Sequence, residues 1–251
     1  MTEILAPTET QATDGHSHTA RWLRLTRIAC LLVLVWALAL NVVAGQLIPE
    51  VLGIGLVFGT LAVFVKDERR VLGVVTSILG VIALTGNLPG TIDELSHPSS
   101  APAFVLTLLV VLAAILVIFS GAAAFWRLSP DPIKPLSITV AGLFVAGVVV
   151  ALSASAAVDS ADPLPSDVRV VAQGVAFDQS EIIVPAGDNG FWLDNRDGIR
   201  HTLTVAGTDF EIAAPGLSSQ RAQFDLQPGE YEIFCAVPGH ENMTIALVVE
   251  D

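Results

Sequence analysis

Long apolar runs occupy the first 158 residues of the chain. Five of them contain no charged residue: 28–48, 51–65, 71–92, 101–126 and 136–158. A hydrocarbon core of about 30 Å needs roughly 20 helical residues, so four runs are long enough to cross it. The second run, with 15 residues, falls short unless residues 46–49 join it or the bilayer thins. The pattern predicts an α-helical membrane bundle of about five transmembrane helices.

Beyond residue 167 the apolar positions form short runs that are separated by turn residues. We predict strands at 168–177, 181–185, 190–194, 201–205, 209–212, 219–226, 230–236 and 243–249. Short strands at such regular spacing are typical of an all-β sandwich or barrel, here a Greek key. The predicted organisation is a disordered tail at 1–20, a membrane domain at 21–157, a proline-containing linker at 158–166 and a β-domain at 167–251.

Basic residues occur only at alternate connections between the apolar runs, which predicts the orientation of the chain. The positive-inside rule then places the N-terminus in the cytoplasm and the β-domain outside. A re-entrant hairpin made of the second and third runs leaves this orientation unchanged. The basic residues concerned are Arg21, Arg24, Arg27, Lys66, Arg69, Arg70, Arg127 and Lys134.

The distribution of charged residues limits which partners the protein could bind and which roles its apolar runs could have. The formal net charge is −13, and from Val158 onward there are 16 acidic and four basic residues. This excess disfavours nucleic acid or anionic lipid and favours a basic patch on a partner protein, although general surface solvation explains it equally well. The apolar runs contain no His, Met or charged residue, so they offer no haem ligand and no proton relay. We expect the bundle to be an anchor or a docking platform.

Four side chains near the C-terminus have the chemistry of a metal site. Cys235, His240 and Met243 lie within nine residues, and His201 precedes them. Two histidines and a cysteine in a trigonal plane, with a weak axial methionine, form the ligand set of mononuclear blue-copper centres. Taken singly, each residue has an ordinary structural explanation. Cys235 could be a small apolar core residue, His201 a histidine at a strand end, and Met243 a core methionine. Together, in a stretch with no other Cys, His or Met, they favour copper.

At this point residues 167–251 resemble the cupredoxins, the group of plastocyanin, azurin and amicyanin. The resemblance is carried by three blocks in the family's order, 181–187, 195–202 and 228–235. It implies that His201, Cys235 and His240 are equatorial ligands and that Met243 is the axial ligand of one copper ion. The gap of four residues from Cys to His is similar to azurin's, and the gap of two from His to Met is similar to amicyanin's. Thr202 stands where plastocyanin and azurin have an asparagine.

The function expected from this resemblance is single-electron transfer by a membrane-anchored blue-copper protein at the extracytoplasmic face. Its partner would be a redox protein such as a cytochrome or a terminal oxidase or reductase, and His240 would be the ligand nearest to solvent. Copper capture and delivery is an alternative, weakened because the whole chain has only two Met and five His. A metal-free binding module is another. We expect no enzymatic activity, since no open coordination position or nucleophile and base pair is evident.

Overall fold

The structure is a computed structural model that describes residues 9–45, 47–65 and 70–251, with side chains from Ser17 onward. Six helices precede eight strands in this part of the chain. The helices are α1 (Glu9–Val43), α2 (Pro49–Phe64), α3 (Arg70–Thr85), α4 (Leu88–Ser96), α5 (Ala101–Trp126) and α6 (Ile133–Ala156). Because α1 begins at Glu9, helix extends into the stretch predicted as a tail, of which residues 1–8 lie outside the described residues.

The number of helices that could cross a membrane is smaller than the five predicted spans. Within the described residues, α1 from Ser17, α5 and α6 are long and apolar enough, and the pair α3 and α4 counts as a fourth only if its 65° bend is one broken span. The third predicted run is interrupted after Thr85, where glycine, asparagine and proline follow within four residues. The 16 residues of α2 fall below the required length. Five spans are therefore not confirmed.

Lys66 and Arg69, on which the predicted orientation partly depends, lie outside the described residues. The orientation stays a prediction.

One compact unit contains most of the helical residues: the described chain up to Leu38, Pro49–Asn87 and Leu109–Val145. Its helices approach closely at glycines. A Cβ atom at Gly121 would clash with the carbonyl oxygen of Gly73, so α3 and α5 touch through their backbones. Small residues at such crossings are typical of membrane helices, which gain little from apolar burial and pack by close contact instead.

The β-domain consists of two mixed sheets that enclose an apolar core. The strands are β1 (Val168–Ala172), β2 (Glu181–Pro185), β3 (Gly187–Asn195), β4 (His201–Val205), β5 (Glu211–Ala214), β6 (Ser219–Leu226), β7 (Gly229–Phe234) and β8 (Thr244–Glu250). One sheet has the order β1-β3-β6 and the other β2-β8-β7-β4-β5. The chain crosses between the sheets several times, and the all-β sandwich predicted from the sequence is confirmed.

Buried and exposed residues alternate along the strands, which explains why these segments pack into one domain. In β2 and β8 every second residue is buried, so one face of each strand joins the core and the other remains exposed. The largest buried side chains include Phe191, Leu193 and Leu203, all fully buried. The first predicted strand ends early, at Ala172, because the chain turns at Gly174 and Val175, both of which have positive φ angles.

The β-domain shares its compact unit with two short stretches of the helical region. This second unit comprises Ala39–Ile48, Leu88–Leu108 and Ala146–Asp251. Within it, the Arg200 guanidinium forms an ion pair of 2.7 Å with Asp93 of α4, and the amide of Gly216 donates to the Ser100 hydroxyl at 3.0 Å. The end of the β-domain that carries these loops therefore rests on residues next to the helix ends.

Candidate metal centre

Three of the four predicted ligands come together in one buried group. His201 is the first residue of β4, Cys235 directly follows β7, and His240 lies in the loop between β7 and β8. The Cys235 Sγ atom is 3.8 Å from His201 Nδ1 and 3.5 Å from His240 Nδ1, and all three ligand atoms lie within 4.8 Å of one another. A first-row metal with bonds of about 2.0–2.3 Å in a trigonal plane separates sulfur and nitrogen by roughly 3.8 Å. The group has the dimensions of such a site.

The loop that follows Cys235 is closed by its own backbone. The amide of Cys235 donates to the carbonyl of Met243, the amide of Met243 to that of His240, and the amide of His240 to that of Val237, over 2.9–3.1 Å. Gly239 makes the tight return possible, since its φ of +91° suits glycine alone. These bonds bring Cys235, His240 and Met243, which are separated in sequence, to one end of the sandwich.

Met243 is buried in the apolar core beside the ligand group. Its exposed fraction is 2%, and it belongs to the same cluster as Cys235 and Val237. Its carbonyl oxygen accepts from the Cys235 amide, so the backbone holds it near the thiol. A thioether is the kind of weak, soft axial donor that a copper site tolerates.

The Thr202 hydroxyl joins the first histidine strand to the cysteine loop. It accepts a hydrogen bond from the Ala236 amide at 2.7 Å, and the Thr202 amide points at the Cys235 sulfur over 3.4 Å. A thiolate gains from nearby N–H donors because they stabilise its charge. Thr202, at the position where plastocyanin and azurin have an asparagine, thus links the two segments through its hydroxyl.

A buried carboxylate, Asp197, orients His201. Its Oδ2 atom accepts from His201 Nε2 at 2.8 Å, and the amides of Gly174 and Val175 donate to its two oxygens at 2.9 and 3.2 Å. Asp197 is 4% exposed and His201 is fully buried. Because Nε2 is occupied by this bond, Nδ1 is left facing the thiol, which selects the tautomer that can bind a metal.

Asn195 holds the loop that carries Asp197. Its Nδ2 group donates to the carbonyls of Ile199, Ala214 and Pro215 at 2.8–3.0 Å, and its Oδ1 atom accepts from the Asp197 amide. Both residues lie in the stretch 195–202 that carries the resemblance, but neither was predicted to have a role at the site. The available signal is an Asx pair, Asn195 and Asp197, just before a candidate ligand, a pattern that favours side-chain to backbone bonds.

Burial keeps both histidines neutral. It lowers the pKa of His201, an effect that the Arg200 charge reinforces and that Asp197 partly offsets. Burial and the neighbouring His201 ring lower the pKa of His240 to about 4. The contact between His201 and Asp197 is therefore a hydrogen bond that a neutral ring donates to the carboxylate at neutral pH. Neutral imidazole is the form that binds metal ions.

Among the four predicted ligands, His240 retains the largest exposed fraction. It is 9% exposed, whereas Cys235 and Met243 are each 2% exposed and His201 is fully buried. In the pairing of β4 with β5, the buried Ala214 lies opposite His201. His240 is thus the residue of the group with the most solvent contact.

No protein-family model and no curated protein matches the chain. Solved structures do. Amicyanin from Paracoccus versutus is 18% identical, covering 36% of this chain and 86% of that one at a TM-score of 0.30. A chain from a heme-copper terminal oxidase dimer is 20% identical and covers 48% and 97% at 0.31. A copper-containing nitrite reductase from Thermus scotoductus is 22% identical and covers 38% and 24% at 0.27.

Residues 167–251 have a cupredoxin-like fold. The two sheets, the order of their strands and the position of the buried His201, Cys235 and His240 group after β7 agree with the resemblance found in the sequence. The donor set, two imidazoles and a thiol beside a thioether, supports copper binding.

Proposed function

We propose that the chain is a membrane-anchored blue-copper protein that carries single electrons at the extracytoplasmic face. His201, Cys235 and His240 would hold one copper ion in their plane, with Met243 as the axial ligand. The observation that carries the proposal is the spacing of 3.5 and 3.8 Å between the Cys235 sulfur and the two imidazole nitrogens. In this proposal residues 21–157 form the membrane domain, 158–166 the linker and 167–251 the copper domain.

The protein's contribution is to hold the donors in place before and during electron transfer. The closed backbone of the loop after Cys235, the Thr202 hydroxyl and the Asp197 carboxylate each restrain a ligand. When bound, copper supplies the one-electron couple between Cu(I) and Cu(II). A site that needs little rearrangement between these states favours fast electron exchange, since sulfur ligands suit Cu(I) and imidazole suits both.

The partner would be a redox protein, such as a cytochrome or a terminal oxidase or reductase. The exposed edge of His240 would be the point at which electrons enter and leave. The acidic surface of the copper domain favours a partner with a basic face and would raise the rate of encounter more than the affinity. The chain would act as a carrier and not as an enzyme.

Copper titration of the purified full chain tests this function. We expect one copper per chain, an intense visible absorption that bleaches reversibly with a reductant, and loss of that absorption in Cys235→Ser. Thr244→Ser, on the exposed side of the following strand, is the matched control and should keep the colour. Copper that binds without reversible bleaching would indicate capture or delivery, and no uptake would indicate a metal-free module. Either result contradicts the proposal.

A further inference from the structure

Leu217, in the loop between β5 and β6, has an unusual conformation for a leucine. Its φ angle is +60°, in the left-handed region, and its exposed fraction is 66%. Among residues 158–251, all of which the structure describes, it is the most exposed large apolar side chain. A leucine with a strained backbone and an exposed side chain is unfavourable in water. Backbone outliers of this kind cluster at functional sites.

The loop is held firmly although its leucine is exposed. The Leu217 amide donates to the carbonyl of Asp197 at 2.8 Å, and the neighbouring Gly216 and Ser218 are buried. A Cβ atom at Gly216 would lie 2.5 Å from the carbonyl oxygen of Gly198, so the two loops touch through their backbones. The exposure of Leu217 is therefore built into the fold.

The same loops lie against the ends of two apolar helices. The Gly216 amide donates a hydrogen bond to the hydroxyl of Ser100, the residue before α5 begins. A Cβ atom at Gly198 would lie 2.6 Å from the side chain of Val43, the last residue of α1. Both helices are long and apolar enough to cross a membrane. Val42 and Leu47, close in sequence to that end of α1, are 80% and 75% exposed.

We propose that Leu217 inserts into the lipid boundary of the bilayer, so that the His201 end of the copper domain lies on the membrane surface. Leu217 would add to the exposed apolar surface of Val42 and Leu47, because the neighbouring Gly216 bonds to Ser100 and Gly198 lies against Val43. Lipid covers such a surface, and an apolar side chain held at this level gains from burial there. The inference rests on the proposed membrane anchoring. It restricts the electron partner to one that approaches along the membrane.

Photo-crosslinking in lipid nanodiscs tests the insertion. The full chain with p-benzoylphenylalanine in place of Leu217 is reconstituted in phosphatidylcholine and phosphatidylglycerol, irradiated and analysed by mass spectrometry. We expect a lipid adduct at position 217 with a yield similar to that at Leu143, an exposed apolar position of α6. Ile183 on β2, 57% exposed, is the control within the β-domain and should give none.

The outcomes separate this inference from the proposed anchoring. A lipid adduct at position 143 but none at 217, or a crosslink from 217 to a second protein chain, overturns the insertion. Failure at both positions overturns the anchoring as well.

Leu217→Cys, a smaller change, serves if the bulky residue prevents folding. Its reaction with a hydrophilic maleimide in nanodiscs should be largely lost relative to Leu164→Cys in the linker. Equal labelling of the two contradicts insertion. The parent chain, in which Cys30 and Cys235 are both buried, gives the background.

Discussion

The helical unit and the β-domain bury polar side chains in different ways. In the helical unit the hydroxyls of Thr26, Thr76 and Ser120 bond to carbonyls three or four residues earlier in their own helices, and one further bond of 2.8 Å, between the Thr26 and Ser120 hydroxyls, joins α1 to α5. In the β-domain, Asn195 and Asp197 bond to groups as far as 20 and 23 residues away, and Asp197 also reaches a candidate ligand. Local pairing makes a polar residue tolerable in an apolar environment. Distant pairing fixes loops relative to one another, which is what a metal site requires.

The largest expected difference between the two regions is in the cost of a core cavity. Leu203→Ala in β4 should lower the stability of the β-domain by about 2–5 kcal/mol, because apolar surface leaves a dry core and a cavity remains. Leu116→Ala in α5 should cost less, since lipid tails are as apolar as leucine. Amide hydrogen exchange read separately in β4 and in α5 measures both changes. Equal losses would remove the contrast between the two environments.

Removal of the Asp197 carboxylate should have the next largest effect. Asp197→Ala leaves His201 Nε2 and the amides of Gly174 and Val175 without their acceptor, each buried donor being worth about 1–3 kcal/mol. Copper affinity should fall by about 10–100-fold, as is usual when the partner of a ligand histidine is lost. Competition with a copper chelator gives the affinity. Asp197→Asn, which keeps one acceptor oxygen, should retain more of the copper affinity. An unchanged affinity in Asp197→Ala would contradict the orienting role of the carboxylate.

Acidification should weaken the metal-free β-domain and leave helix α5 unaffected. The pKa of His240 is lowered to about 4 from 6.5, so the unfolded chain takes up a proton that the folded domain resists. Stability is then complete above pH 6.5 and decreases as the pH falls towards about 4. Helix α5 contains no titratable side chain. Urea unfolding at several pH values measures the effect, and in His240→Gln the decrease should be smaller.

The smallest effect is expected for the hydroxyl that links strand and loop. Thr202→Val removes the acceptor of the Ala236 amide and should cost about 1 kcal/mol, with a shift in the visible absorption because the loop next to Cys235 is less restrained. Thr202→Ser keeps the hydroxyl and should preserve the absorption. Identical spectra for valine and the parent would show that the link does not influence the site.

Local pattern predicted the β-domain better than the helical region. All eight strands occur where alternation and turn residues indicate them, and β2, β4 and β6 have the predicted bounds. Alternation succeeds because each strand has one face in the core and one outside. A uniformly apolar run does not distinguish a buried face from an exposed one, so the sequence pattern did not reveal the bend after Thr85 that separates α3 from α4.

The grouping of His201, Cys235 and His240 was predictable because two of the three lie in one short loop, together with Met243. Asn195 and Asp197 were not, because which amides a turn carboxylate will bind depends on loops that are distant in sequence. The partner amides of Asp197 lie at Gly174 and Val175, in the turn that also shortens β1. Nothing in the local sequence of either loop indicates the other.

The self-closed loop between Cys235 and Met243 has a consequence for how the protein tolerates substitution. Its three bonds join main-chain amides and carbonyls only, so a change of the Cys235 or His240 side chain leaves every donor and acceptor of those bonds in place. Variants of these side chains are therefore expected to keep the conformation of the loop, which allows a lost binding property to be told apart from a lost fold.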